Sequence, residues 1–283
     1  MTESVRERYR RFARDEAPGR SELYRQWAEG VADDAPVQSI LERIPATRRQ
    51  PPLVFAVTRM LGAPVAAFET WRAFVLAHAD EVVDECAARR LQTNEPLRLA
   101  ALLPALTEID GPIALLELGA SAGLCLYPDR YSYRFVDADG DMRAVLDPVD
   151  GPSPAVLTSE VCGEMPTLRM PQVTWRAGID LDPLDAGDER DRAWLESLVW
   201  PGETGRAERI TAALEVVRSD PPIMVRGDAR EHLSALAASA PTGATLVITT
   251  PGVLVHIPRA ERTALITEIR ELATRRSARW ITI

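Results

Sequence analysis

The residues Gly119-Ala120-Ser121-Ala122-Gly123 spell a motif with two possible chemistries. As G-x-S-x-G they match a hydrolase nucleophile elbow, in which Ser121 attacks a carbonyl and later residues supply the acid and the base; Asp228 and His256 occur in the required chain order. Directly after Leu115-Leu116-Glu117-Leu118, the same residues read instead as a glycine-punctuated turn from a strand into a helix. Glycines let backbone approach a ligand closely, and a helix N-terminus aims free N–H groups at it. An elbow normally follows several strands, whereas the chain before this one reads as helices and contains no H-G-G oxyanion loop. The order of elements favours a cofactor loop, with Glu117, Gly119, Ala120, Ser121 and Gly123 as its candidate residues.

Three later acid or hydroxyl positions fall at the ends of apolar runs. Asp180, in W-R-A-G-I-D-L-D-P, is placed to accept both hydroxyls of a ribose, or more simply to cap the turn-rich stretch that follows. Asp228-Ala229, in I-M-V-R-G-D-A, is placed to accept from an adenine amino group, or to cap a helix beginning at Ala229. Thr249 and Thr250 end the run L-V-I-T-T and open the loop that carries His256. Thr249 joins the cofactor candidates and Thr250 the substrate candidates. His256 is a candidate general base, although a half-buried loop histidine is the favoured account of it.

Outside these runs, Gln92-Thr93-Asn94-Glu95 precedes a helical stretch that leads into the first strand. Asn94 occupies an N-cap position and Glu95 suits a first helical turn. Both are also candidates for the substrate side, Asn94 for binding and Glu95 as a base. The chemistry is bounded by what is missing. The sequence contains no lysine, which removes a P-loop lysine and a pyridoxal Schiff base. Cys86, Cys125 and Cys162 form no C-x-x-C pair, and His78, His232 and His256 form no H-x-x-x-H pair, so no metal site is expected. A net charge of −9 and a pI of about 5.1 argue against a nucleic-acid backbone as partner.

The elements that must position these residues divide the chain in two. Up to about residue 108 the apolar spacing is helical, as in Val5, Tyr9 and Phe12, with Ser21 a candidate cap and residues 65–90 one long amphipathic helix. From residue 109, the short runs I-A-L-L-E-L, Q-V-T-W-R-A-G-I, P-I-M-V-R-G, A-T-L-V-I-T-T and A-R-W-I-T-I read as buried strands, three of them preceded by helical stretches. That alternation indicates an α/β doubly wound, largely parallel sheet. Residues 131–170 alternate like an inserted hairpin.

In this order, E-L-G-A-S-A-G, G-I-D-L-D-P, R-G-D-A and V-L-V-H-I-P resemble the motifs of class I S-adenosylmethionine-dependent methyltransferases over roughly the last 170 residues. The resemblance implies a Rossmann-like sheet, S-adenosylmethionine as cofactor and methyl transfer to a small-molecule substrate. R-R-Q-P-P-L-V-F-A-V-T-R-M-L, Q-T-N-E-P-L-R-L-A-A-L-L-P-A-L and W-L-E-S-L-V-W-P-G-E-T-G-R-A-E-R-I-T-A-A-L extend the likeness to nearly the whole chain. These stretches are similar to the bacterial domain-of-unknown-function family 2332, which implies the same fold behind a helical N-terminal region. The sequence departs from the two patterns in three places. Ser121 stands where the methyltransferase loop has glycine, Cys125 where the bacterial family has asparagine, and Thr249-Thr250-Pro251 where a more polar His-Ser pair is expected.

The expectation is a helical N-terminal cap domain over 1–108 and a methyltransferase-like domain over 109–283. Its alternatives are a non-catalytic, ligand-binding descendant of that fold and a serine hydrolase using Ser121. With no apolar run long enough for a bilayer and no leader at the start, a cytoplasmic protein is expected, with no nucleic-acid or membrane partner. The fifth strand at the chain's end, without a closing strand pair, suggests an edge that a homodimer would cover.

Overall fold

The computed structural model describes residues 3–283. Its helices are α1 (Val5–Asp15), α2 (Glu22–Asp33), α3 (Ala35–Glu42), α4 (Pro51–Met60), α5 (Phe68–Ala77), α6 (Ala79–Ala88), α7 (Arg98–Thr107), α8 (Glu189–Ser197), α9 (Arg206–Ser219), α10 (Ala229–Ser239) and α11 (Arg259–Arg276). Its strands are β1 (Pro112–Leu118), β2 (Ser132–Val136), β3 (Met142–Leu146), β4 (Val156–Glu160), β5 (Gln172–Asp180), β6 (Ile223–Arg226), β7 (Thr245–Thr250) and β8 (Arg279–Thr282). Among the described residues, no helix is long and apolar enough to cross a membrane.

The chain forms two compact units. The first holds residues up to Thr93 together with Glu189–Glu208, and the second holds Asn94–Asp188 and Arg209–Ile283. The boundary therefore lies fifteen residues before the expected one at 108, and a piece from the middle of the chain joins the helical unit. An aromatic core explains that recruitment. Trp200 packs on Phe12 and Tyr24 with ring centroids 5.3 and 5.5 Å apart, and the Arg20 guanidinium lies 3.7 Å from the Trp200 ring centre. Arg59 donates to the carbonyls of Ser197 and Val199.

One helix reading holds and another needs revision. Ser21 does cap α2, accepting from Tyr24 N–H at 3.3 Å. The long helix over 65–90, however, breaks at His78, whose backbone leaves the helical range (φ −117°, ψ 30°) while its ring stacks on Phe74 at 4.3 Å.

The second unit is built on a five-stranded parallel sheet in the order β6-β5-β1-β7-β8. Ala114, Leu116 and Leu118 of β1 share a buried cluster with Leu233, Leu236 and Ala237 of α10 and Leu265, Ile269 and Leu272 of α11. Alternation along the strand turns Ile113, Leu115 and Glu117 to the opposite face. The inserted region is a separate three-stranded sheet, β3-β2-β4, in which β2 and β3 are the antiparallel pair.

The loop after β1 does not open an α-helix. A single 3-10 turn, Leu124–Leu126, follows it, and β2 comes next. Leu124, Cys125, Leu126 and Tyr127 are consecutive and all buried, which leaves no polar face for a surface helix, and Pro128 forbids its continuation.

Candidate functional site

The strand order reverses at β1, so the crossovers on its two sides leave in opposite directions and open a crevice at the carboxyl edge of the sheet. The loop Gly119–Gly123 sits in that crevice. Gly119, Ser121 and Gly123 all have positive φ (74°, 51° and 75°), a region that costs an L-residue such as serine about 1–2 kcal/mol. Hydrogen bonds fix this conformation. Gly119 N–H donates to Ile179 O at 2.8 Å and Gly123 N–H to Ala120 O at 2.6 Å. The Asp180 carboxylate accepts Ser121 N–H on one oxygen and Asp182 N–H on the other, both at 2.8 Å. Ala120 is buried against β5, where a Cβ on Gly178 would lie 2.5 Å from the Ala120 Cβ, so Gly178 is what lets the loop lie this close.

Beside the loop is a cavity of about 210 Å³. The ends of β1, β5 and β6 contribute Leu118-Gly119, Ile179-Asp180-Leu181 and Gly227 through Arg230. The segment after β7 contributes Val253 and His256 through Pro258, and α11 contributes Glu261 and Leu265. Asp228 caps α10, accepting from Arg230 N–H at 2.9 Å, and also takes the Arg230 guanidinium at 2.7 Å. Those bonds to Arg230 hold its carboxyl below the usual carboxylate range. Arg230 reaches Glu261 at 3.4 Å as well. The wall thus carries three carboxylates (Asp180, Asp228 and Glu261) and one guanidinium, a balance that favours a neutral or cationic ligand over a phosphate. His256 is exposed at the rim, and Leu181, 64% exposed, presents an apolar side chain to the opening.

On the other face of the sheet lies a buried polar group. Glu117 on β1 and Thr249 on β7 are register partners, 3% and 2% exposed. Burial pushes the Glu117 carboxyl well above the usual range; nearby Arg98 opposes the shift and Asp180 reinforces it. Glu117 Oε2, Thr249 Oγ1 and Asn94 Nδ2 are all buried without a hydrogen-bond partner. Such atoms cost about 1–3 kcal/mol each until something meets them, so they mark a place for polar groups. Cys125 donates its thiol to Glu95 O at 3.4 Å, and burial raises its pKa, which leaves it a poor nucleophile.

Asn94 is not the cap of α7, which begins at Arg98. Pro96 delays the helix, and the Glu95 carboxylate, not Asn94, takes Leu97 N–H at 3.0 Å. Glu95 also pairs with Arg209 at 2.9 Å. Thr250 is buried, its hydroxyl accepting from Trp280 Nε1 at 3.0 Å.

The cavity brings together Gly119, Asp180, Asp228, Ala229 and His256. Glu117 and Thr249 form the polar pair on the other face, with Glu95 reached through Cys125, while Ala120, Ser121 and Gly123 shape the loop between. Ser121 is 3% exposed and is not on the cavity wall. Sequence reasoning passed over Arg98, Leu181, Arg230, Val253 and Glu261. Arg98 follows Glu95 by three residues in Q-T-N-E-P-L-R, and Val253 lies in the same loop as His256.

No curated protein and no solved structure matches the chain. One family model does, over residues 6–283, and by it the chain belongs to the family of uncharacterized proteins conserved in bacteria designated DUF2332.

Proposed function

We propose that the carboxyl edge of the sheet binds S-adenosylmethionine and that the protein transfers its methyl group to a small-molecule acceptor. The observation that carries the reading is the cavity, whose wall is built from the ends of β1, β5 and β6 and the loop after β7. The strand order supports it: read from one edge, the parallel strands run third, second, first, fourth, fifth, as in the doubly wound sheets that bind nucleotides at this edge. Charge supports it too, because three carboxylates around one arginine suit a sulfonium cation.

Bound there, the cofactor supplies an electrophilic methyl carbon. Asp180, with lone pairs left after binding Ser121 and Asp182 N–H, would accept from the ribose. Asp228 and Ala229 would face the base, and Leu181 would cover its apolar face. The orphaned atoms of Glu117, Thr249 and Asn94 fit the amino-acid end. His256 or Glu95 would take a proton from the acceptor; Glu95 would do so only by leaving Arg209. Calorimetry with S-adenosylhomocysteine tests the reading: saturable heat is expected for the wild type and none for Ala229→Phe, which fills the cavity. Absence of heat from the wild type at millimolar ligand overturns it.

One contact favours a second reading. The Val253 side chain packs directly on Gly119, covering the loop that would face the cofactor. In that reading the protein binds a ligand and transfers nothing. Release of S-adenosylhomocysteine from S-adenosylmethionine in a bacterial small-molecule extract supports transfer, whereas binding without release supports the second reading.

A further inference from the structure

We infer that Val253 is a specificity determinant: with its side chain on Gly119, the cavity accepts an uncharged nucleoside and discriminates against one extended at its 5′ position. The inference rests on the nucleoside-binding reading above and adds what the site selects. Three observations lead to it. The first is size: the space beside the loop is about 210 Å³, below the roughly 300 Å³ at which sites for drug-sized ligands begin, so a nucleoside fills it and the rest of a longer ligand must extend past Gly119. The second is the position of the block. A Cβ on Gly119 would lie 2.5 Å from Val253 Cγ2 and 2.7 Å from Val253 Cβ, so the valine lies against the backbone over which a 5′ extension would run.

The third is that the block is held from behind. Arg98 Nη1 donates to Pro251 O at 2.7 Å, and Gly252, at φ 84°, lies so close beneath the guanidinium that a Cβ there would be 3.0 Å from Nη2. Segment 251–253 therefore stands as a partition. On one side is the cavity; on the other are Glu117 and Thr249, whose partnerless oxygens are not on the cavity wall. A ligand that reaches both sides must displace Val253, and its apparent affinity falls by the fraction of molecules in which the valine has moved. Charge closes the remaining route, since Asp180, Asp228 and Glu261 outnumber Arg230 on the wall and repel a 5′-phosphate.

The test is calorimetry on the full chain with adenosine and S-adenosylhomocysteine, using wild type, Val253→Ala and Val253→Thr. The wild type is expected to bind both ligands, adenosine at least as tightly as S-adenosylhomocysteine. Val253→Ala, which deletes two methyl groups from the partition, is expected to tighten S-adenosylhomocysteine about tenfold and adenosine less than about threefold. Val253→Thr keeps the shape and is expected to keep the wild-type ratio. Tighter binding of S-adenosylhomocysteine than of adenosine by the wild type overturns the inference, and so does an unmoved ratio in Val253→Ala. The wild-type comparison decides the matter if the alanine variant fails to fold. Binding of neither ligand by any of the proteins instead overturns the proposed function itself.

Discussion

Asp180 Oδ2 accepts the backbone N–H of Ser121 at 2.8 Å across 59 residues of sequence, tying the tip of the loop after β1 to the end of β5. The acid nominated for a ribose thus already has a structural duty, shared with Asp182 N–H. The two duties are compatible because a carboxylate offers about four lone-pair sites.

This makes Asp180 a stability residue as well as a ligand residue. Asp180→Ala leaves two backbone donors without their acceptor and is expected to cost about 2–4 kcal/mol in urea denaturation. Asp180→Asn retains one acceptor oxygen and is expected to cost less than half of that. Equal losses in the two variants would show that the backbone bonds contribute little.

Ser121 holds a left-handed conformation at φ 51°. Glycine adopts it freely, so Ser121→Gly is expected to unfold at the same temperature as the wild type or higher, while Ser121→Ala unfolds lower. A serine kept as a nucleophile would instead reveal itself with a fluorophosphonate probe. No labelling is expected, because the residue is buried; labelling of the wild type that disappears in Ser121→Ala would restore the hydrolase alternative.

Gly119→Ala combines an unfavourable φ of 74° with a Cβ placed 2.5 Å from Val253 Cγ2. It is expected to destabilise by about 1–3 kcal/mol, measured as a lower urea midpoint with an unchanged m-value. Adding Val253→Gly removes both opposing carbons, and the double variant is expected to lose less than the sum of the two single losses.

Glu117 predicts a pH dependence with a definite sign. Its folded pKa is raised above the ordinary 4.5 by burial, so the native state holds the proton more tightly than the unfolded chain. The stabilisation is complete below about pH 4.5 and is lost as pH rises toward the folded value, at no more than about 1.4 kcal/mol per pH unit. Glu117→Gln does not titrate. Its melting temperature relative to wild type is expected to climb as pH rises above about 5; a difference that stays constant would mean that Glu117 is ionised in the folded protein.

The sheet was legible because its signals are local. Each of β1, β5, β6 and β7 is a short apolar run with Gly, Pro or Asp at or beside its ends, and the acids there fall at the carboxyl edge once parallel pairing is assumed. What escaped depends on partners distant in sequence. Asn94 has every local feature of a cap, yet Pro96 and the Glu95 carboxylate move the helix start to Arg98. The helix expected after Gly123 is absent because four consecutive buried side chains and Pro128 suit a turn. Val253 reads as one more apolar loop residue, and only the backbone of Gly119, 134 positions earlier, gives it a role.

The aromatic core of the helical unit bears on how the protein is made. Phe12 and Tyr24 leave the ribosome long before Trp200, and the stretch from Asn94 to Asp188 is synthesised in between. At roughly 5–20 residues per second, that interval alone lasts about 5–20 s. Throughout it the first helices exist without the tryptophan that completes their core, so the nascent chain exposes aromatic surface to whatever chaperones attend it. The order of maturation is therefore the reverse of the order of synthesis for part of the chain: the first helices to be made must await a segment that follows β5.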